Sequence, residues 1–390
     1  MPETIIPTRS NPLRPPRRVL IMGSQARAMA NFWPPLIKGL VGRGHEVFCL
    51  NPDSNDPADH EAARALQNLG ANTRFFPMQR KGVNPLADLA AMAGLYRLCR
   101  EIRPDVFFGY AIKPVIYGTL AATLARVPER FAMITGLGYA FEADTPLKQL
   151  LNKVASLLYR LALSRSHGIF FQNKDDLKVF TDAGILRPGA PVHITRGTGV
   201  DVESFSFSAP PTAPPIFLLV GMLLAAKGLR EYAAAARLLK NRHPKARFQI
   251  LGPPDDSPAG VPTDEVHGWE ADGYIEYLGA TSDVRPFVRD ASVMVLPSYR
   301  EGAPCSILEG LAMGRPAVVT DVPGCREVVI DGENGWMTPL GDVDALAAAM
   351  EKFIVEPGLV ARQGTAGRAF VEDRFDARKV SLGLMTIMGL

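Results

Sequence analysis

The sequence predicts an α/β chain of two doubly wound, Rossmann-like domains in tandem, and three observations predict it. Short β-branched or aromatic runs alternate with helix-length segments along the whole chain. Many of these runs are continuously apolar, which marks parallel sheets covered by helices on both faces. A proline-rich stretch without a single charge, Ser206–Pro215, lies near the middle. Length agrees, since 390 residues with 47% hydrophobic and 21% charged content fill two cores at roughly 100–200 residues per domain.

Taken in order, the strands of the first half are expected at Arg18–Met22, Glu46–Leu50, Thr73–Phe76, Val106–Gly109, Phe131–Thr135, Gly168–Gln172 and Val192–Thr195. Helices fill segments such as Asn31–Arg43, Pro85–Arg103 and Leu147–Ser164. The second half continues with strands at Ile216–Val220, Arg247–Leu251, Tyr274–Leu278, Val293–Leu296 and Ala317–Thr320. The expected organisation is a flexible tail at 1–17, a domain at 18–207, a linker at 208–215, a domain at 216–375 and a terminal segment at 376–390.

Composition excludes several classes. No apolar run reaches the ~18 residues of a membrane-spanning helix. The first 18 residues hold five Pro and four Arg but no apolar stretch, so they do not read as a secretory signal. Cys49, Cys99, Cys305 and Cys325 are scattered without a C-x-x-C pair and read as free thiols of a reducing, cytoplasmic compartment. The six histidines show neither triad nor metal spacing. A net charge of +3 hides an asymmetry: residues 1–208 carry 25 Lys and Arg against 17 Asp and Glu, and the remainder 18 against 23. A basic half attracts phosphate-rich ligands or an anionic membrane face, and ordinary surface scatter gives the same count.

In open parallel sheets ligands gather beyond the carboxyl ends of the strands, and a site between two domains suits an enzyme with two substrates. The informative loops therefore follow strands. After Ile216–Val220 comes Gly221-Met-Leu-Leu-Ala-Ala-Lys227-Gly228 and then a helical pattern. Glycine lets backbone approach a ligand, and a lysine at a helix entrance offers a point charge to a phosphate. A turn with a solvated lysine fits the same segment. After Val293–Leu296, a glycine-containing loop carries Glu301, and Ser306 is the expected N-cap of a short helix ending at Gly314. Such a helix start suits a diphosphate. Glu301 is placed to accept hydrogen bonds from sugar hydroxyls, and Glu309 to take a ribose diol, because a carboxylate offers several acceptor sites to paired donors.

The E-x7-E of Glu301 and Glu309, set within P-S-x-x-E-G-x-P-x-S-x-L-E-x-x-A-x-G-x-P and followed by Thr320-Asp-Val-Pro-Gly-Cys-Arg-Glu-Val-Val and Asp331-Gly-Glu-Asn-Gly335, resembles the donor half of retaining family 4 glycosyltransferases with the GT-B fold. Lys113-Pro-Val-Ile-Tyr-Gly, Ile134-Thr-Gly-Leu-Gly-Tyr-Ala-Phe141 and Arg196-Gly-Thr-Gly-Val-Asp201 resemble bacterial members that add a sugar, often an N-acetylhexosamine, to polyprenyl-diphosphate-linked glycans. The resemblance spans about residues 18–376.

It implies two Rossmann-like domains facing across a cleft, a UDP-sugar donor, a lipid-linked saccharide acceptor and no nucleic-acid partner. It places Gly221 and Lys227 on the phosphate-binding loop, Glu301 against the donor sugar and Glu309 against the ribose. The donor set is then Gly221, Met222, Lys227, Glu301, Gly302, Ser306, Ile307 and Glu309, with Lys227 and Glu301 catalytic; the acceptor set is Gly23, Ser24, Lys113, Gly136, Gly138 and Arg196. As in relatives, the terminal segment is expected to cross back to the first domain. One departure stands out: the family usually has Arg where this chain has Met222, and Met supplies no bidentate grip on a leaving diphosphate. A GT-B sugar-nucleotide epimerase and a nucleotide-sugar-binding pseudoenzyme are the alternatives.

Three patterns invite other readings. Gly136-Leu-Gly138-Tyr-Ala-Phe141 half resembles a dinucleotide fingerprint but has Phe141 at the third glycine position. Asp342-Val-Asp344 matches a metal-diphosphate D-x-D, although its place before a helical run suits capping, and no required metal or other cofactor is expected. The helix near Leu147–Arg165 sets Leu147, Leu150, Leu151, Val154, Leu158 and Leu161 on one side and Lys148, Lys153, Arg160 and Arg165 largely elsewhere. A core-facing stripe is the favoured reading, and peripheral contact with the cytoplasmic leaflet the second.

Overall fold

The computed structural model describes residues 15–79, 84–137, 146–211 and 214–390. The chain divides into two compact units: the first runs to Thr198 and also takes Ala377–Leu390, and the second is Gly199–Asp376.

In the first unit seven strands, β1 (Arg18–Met22), β2 (Glu46–Pro52), β3 (Asn72–Phe76), β4 (Val106–Tyr110), β5 (Glu129–Ile134), β6 (Gly168–Phe171) and β7 (Val192–Ile194), form one sheet in the order β3-β2-β1-β4-β5-β6-β7. Every pairing is parallel. The helices are α1 (Ala26–Phe32), α2 (Pro34–Gly42), α3 (Pro57–Asn68), α4 (Pro85–Ile102), α5 (Thr119–Leu124), α6 (Pro146–Leu163) and α7 (Lys174–Asp182), with a π-helical turn at Pro114–Gly118. Because side chains alternate along a strand, Val19 and Ile21 pack with Trp33, Leu36 and Leu40 on one face. Leu20 and Met22 pack with Leu95 and Cys99 on the other. The C-terminal helix Ala377–Met388 lies on α2 within this unit, burying Val380, Leu384 and Met385 in the first of those cores.

The segment expected as one helix at Asn31–Arg43 is two, broken at Trp33. Pro34 and Pro35 cannot continue a preceding helix but suit the first turn of a new one.

In the second unit β8 (Ile216–Val220), β9 (Arg247–Leu251), β10 (Glu276–Tyr277), β11 (Val293–Leu296), β12 (Ala317–Thr320) and β13 (Gly335–Thr338) form a parallel sheet in the order β10-β9-β8-β11-β12-β13. Around it lie α8 (Leu229–Arg242), α9 (Thr263–Ala271), α10 (Arg285–Asp290), α11 (Cys305–Ala312), α12 (Cys325–Val328), α13 (Val343–Val355) and α14 (Gly358–Arg374). Phe217 and Leu219 pack against α8 and α13, while Leu218, Met294 and Leu296 pack against α11. Strand β13 is an element that the sequence reading lacks. It is short, half-buried and opens on Gly335, where a Cβ would lie 2.1 Å from the Ala317 carbonyl oxygen.

The division falls between Thr198 and Gly199, ahead of the proline-rich stretch. Val200 N donates to Phe375 O at 2.8 Å. The fully buried Arg315 guanidinium donates to Ser208 O at 2.7 Å, Ser208 Oγ at 2.8 Å and Ala209 O at 3.3 Å. Hydrogen bonding thus fixes the first part of the expected linker to the second unit.

The core-facing reading of α6 is corrected in part: of its stripe Leu158 packs against the core and Leu151 is half-buried, and the side chain of Leu147 lies outside the described residues, but the other three leave the core. Leu150, Val154 and Leu161 are 58%, 48% and 51% exposed, and Leu157 is 57% exposed. The buried face is Tyr159, Ala162 and Leu163 instead. Tyr159 and Leu163 pack into the core there, the Tyr159 ring meeting Phe180 of α7 edge-on with centroids 5.0 Å apart.

Candidate functional site

The strand order of the second unit reverses between β8 and β11, which makes their carboxyl ends the position where such sheets hold ligands. Gly221 and Met222 leave β8, and a 3-10 turn at Ala225–Lys227 leads into α8. Gly228 sits between them with φ +72°, and a Cβ there would lie 2.1 Å from the Pro297 carbonyl oxygen. The glycine thus serves both a left-handed backbone and a close approach to the end of β11. Gly252, after β9, is similarly tight against Gly221 O, at 1.9 Å from its would-be Cβ.

Backbone contact ties the two loops, Tyr299 N donating to Ala226 O at 2.9 Å. Side chains complete the link. Lys227 Nζ lies 2.6 Å from Glu301 Oε1, and Ser298 Oγ donates to the same oxygen at 2.6 Å. Ser298 is fully buried, and Thr320 Oγ1 donates to its carbonyl. The structure therefore joins Gly221, Lys227 and Glu301 around one point. Ser298 was not among the expected site residues; its signal was the Ser of the P-S-x-x-E run.

Helix α11 starts directly after the Glu301-Gly302-Ala303-Pro304 loop, so the partial positive charge of its first turn faces that loop. Its N-cap is Pro304, not Ser306, which lies within the first turn. Ile307 is a core residue at 1% exposure whose N–H donates to Pro304 O at 3.2 Å, so its side chain offers nothing to a ligand. Glu309 is half-buried on the same helix, and burial pushes its carboxyl up to about 8. No cation pairs with it among the described residues. A diol donating to that carboxylate would supply the hydrogen bonds that desolvation removes. Met222 is 44% exposed.

In the first unit the order reverses between β1 and β4. Gly23 follows β1, and a Cβ there would lie 2.2 Å from the hydroxyl of buried Tyr110, the last residue of β4. Ser24 beside it is half-buried. Gly136 lies after β5, and among the described residues nothing lies within 4 Å of a Cβ built there; Gly138 lies outside the described residues. Arg196 is exposed just after β7. Lys113 is committed: its Nζ donates to Asp88 Oδ1 at 2.7 Å and Gln79 O at 2.8 Å, and Tyr117 OH donates to Asp88 Oδ2 at 3.0 Å. That buried pair fastens the π-helical turn to α4.

Asp342 caps α13, accepting from Ala345 N at 2.8 Å. Among the described residues no group of three His, Cys, Asp or Glu side chains is placed to hold a metal ion, and no helix is long and apolar enough to cross a membrane.

Two family models match. Residues 18–173 match "Glycosyl transferase 4-like", and residues 214–356 match "Glycosyl transferases group 1". The N,N'-diacetylbacillosaminyl-diphospho-undecaprenol alpha-1,3-N-acetylgalactosaminyltransferase of Campylobacter jejuni is 28% identical over 332 residues, 82% of this chain and 84% of the relative. The UDP-Gal:alpha-D-GlcNAc-diphosphoundecaprenol alpha-1,3-galactosyltransferase of Escherichia coli is 25% identical, covering 81% and 84%. Among solved structures, sucrose-phosphate synthase from Thermosynechococcus elongatus superposes with a TM-score of 0.79 at 16% identity, over 95% of this chain and 98% of that one. Anabaena HepE in complex with UDP-glucose gives 0.76 at 18% identity, over 96% and 100%.

Proposed function

Since this chain is a glycosyltransferase of GT-B architecture, with a 4-like domain in its first unit and a group 1 domain in its second, we propose that it transfers an N-acetylhexosamine from a UDP-sugar to an undecaprenyl-diphosphate-linked saccharide, with retention at the anomeric carbon. The observation that carries this reading is the Lys227–Glu301–Ser298 cluster at the strand reversal of the second unit, directly ahead of α11. The acceptor class is supported by the two transferases named for undecaprenyl-diphosphate-linked saccharides that this chain resembles over about four-fifths of its length.

In this reading the second unit holds the donor. The bond between the anomeric carbon and the diphosphate oxygen breaks, and its electron pair goes to the departing UDP. Lys227 and the first-turn amides of α11 stabilise that charge. Ser298 and Lys227 orient Glu301 so that its other oxygen accepts from a sugar hydroxyl, and Glu309 accepts from the ribose. The acceptor hydroxyl bonds to the anomeric carbon from the face that UDP leaves, and its proton passes to the departing diphosphate. Cations and amides carry the charge, so no divalent ion has a part in this reading. The acceptor lies with the first unit near Gly23 and Ser24. Its lipid stays in a bilayer, which sets the protein peripherally at the cytoplasmic leaflet.

The test is incubation with a panel of UDP-sugars and short-chain lipid-diphosphate saccharides. Product mass identifies the transferred sugar, and the anomeric proton coupling identifies the stereochemistry. Epimerised donor formed without acceptor, or UDP binding without any transfer, would overturn the proposal.

A further inference from the structure

Helix α6 presents an apolar stripe that nothing among the described residues of its unit covers. Leu150, Val154, Leu157 and Leu161 follow one another at spacings of four, three and four residues, so they form one line along the helix, and all are about half exposed or more. Two neighbours extend it. Helix α5 packs against both α4 and α6, and on the outer sides of these neighbours Leu86, Leu89 and Leu124 are 80%, 58% and 61% exposed. Seven exposed apolar side chains on three helices packed together mark a candidate interaction surface.

Charge selects the partner. From Pro146 to Leu163 the helix contains no Asp or Glu. Lys153 and Arg160 are exposed beside the stripe and make no ion pair among the described residues. On α4, Arg97 and Arg100 are exposed against one exposed acid, Glu101, whereas Asp88 is buried against Lys113. An apolar line flanked by cations matches the interface of an anionic bilayer, with leucines among the acyl chains and cations at the headgroups. Chain direction adds an orientation. Helices α4 and α6 each leave the carboxyl end of one strand and return to the amino end of the next, so Leu86, Leu89 and Leu150 lie toward the sheet edge that carries Gly23.

We infer that the α4–α5–α6 face is the surface by which this protein lies on an anionic membrane, with the acceptor edge of the first unit toward the lipid. The inference rests on the lipid-linked acceptor reading for its biological sense, but its test does not. Full-length protein is sedimented with vesicles of phosphatidylcholine alone and with roughly a third phosphatidylglycerol, neither containing polyprenyl lipid. Val154→Glu combined with Leu157→Glu is expected to lower partitioning at least tenfold while leaving the melting temperature unchanged. Lys153→Gln with Arg160→Gln should lower it on the anionic vesicles only and flatten its salt dependence. Transfer to a short-chain, water-soluble acceptor should survive in both variants, and failure of that transfer in the unmodified protein counts against the proposed activity alone. Absent binding by the unmodified protein, equal partitioning of all three, or a vesicle-free dimer that Leu157→Glu dissolves would overturn this surface assignment.

Discussion

Lys227 Nζ lies 2.6 Å from Glu301 Oε1, so the cation assigned to the diphosphate and the carboxylate assigned to the sugar hold each other. Both side chains are largely withdrawn from solvent, at 25% and 11% exposure. The pair therefore presets the distance between the two functions before any donor arrives, and each residue's orientation depends on the other.

Lys227→Gln should lower kcat by about 10²–10³, the range for removing one donor to a developing charge. Because the pair acts as a unit, Lys227→Gln with Glu301→Gln should fall short of the sum of the single losses. Rates of the two single variants and the double variant check this, and additivity within about 0.5 kcal/mol would show that the residues act independently.

Met222→Arg should raise kcat at least tenfold, since a guanidinium at this position would grip the leaving diphosphate. The site is 44% exposed, so the longer side chain displaces no core. An unchanged rate with saturating donor would place the diphosphate elsewhere.

Glu309 gives a pH dependence with a defined sign. Burial raises its carboxyl to about 8, well above the usual ~4.3, so the folded protein holds a proton there that the unfolded chain has lost. That contribution to stability is present at low pH and is lost as pH rises toward about 8. A diol needs the ionised form, so UDP affinity should rise up to about tenfold per unit as pH climbs toward that value, and level off above it. Glu309→Gln should abolish both slopes. Calorimetric titration of UDP and thermal melts across pH 6–9, about a unit or two either side, measure them.

Gly228→Ala meets a left-handed backbone and the Pro297 carbonyl together. Strain of the order of 1–3 kcal/mol is expected from the backbone alone. The melting temperature should fall and UDP binding weaken with it, whereas Gly94→Ala, on α4 with no atom near its would-be Cβ, should leave both intact.

Burial pushes the thiols of Cys49 and Cys99 up to about 12 and raises that of Cys325, while Cys305 is half-buried in the first turn of α11. A thiol reagent near neutral pH should therefore modify Cys305 first in the native protein, and UDP should slow that reaction. Mass mapping of the labelled peptide reads the result.

The residues alone were enough to bound β1, β8, β9, β11 and β12, which begin and end where expected, and all but β9 are apolar nearly throughout. The grouping of Gly221, Lys227 and Glu301 was legible too, because they follow strands whose order brings them together. What escaped was set by partners distant in the chain. Spacing marks Lys113 as a cation after a strand, but Asp88, 25 residues earlier, is what holds it. On α6 the leucine spacing draws one stripe, whereas the face that is fully buried carries Tyr159 and Leu163, which pack with Phe171 and Phe180 from elsewhere in the chain. Ser306 has the chemistry of a cap, yet the helix begins two residues earlier than such a cap would set it, behind Pro304.

The hydrogen bond from Val200 N to Phe375 O, beside the Val200–Asp376 pairing, brings the entry and exit of the second unit side by side. A gene fragment encoding 199–376 would thus yield a polypeptide with adjoining termini, a cassette suited to transplantation or permutation. The first unit has no such independence: it is written in two instalments, and truncation before Ala377 would strip Met385 from its seat against Gly39.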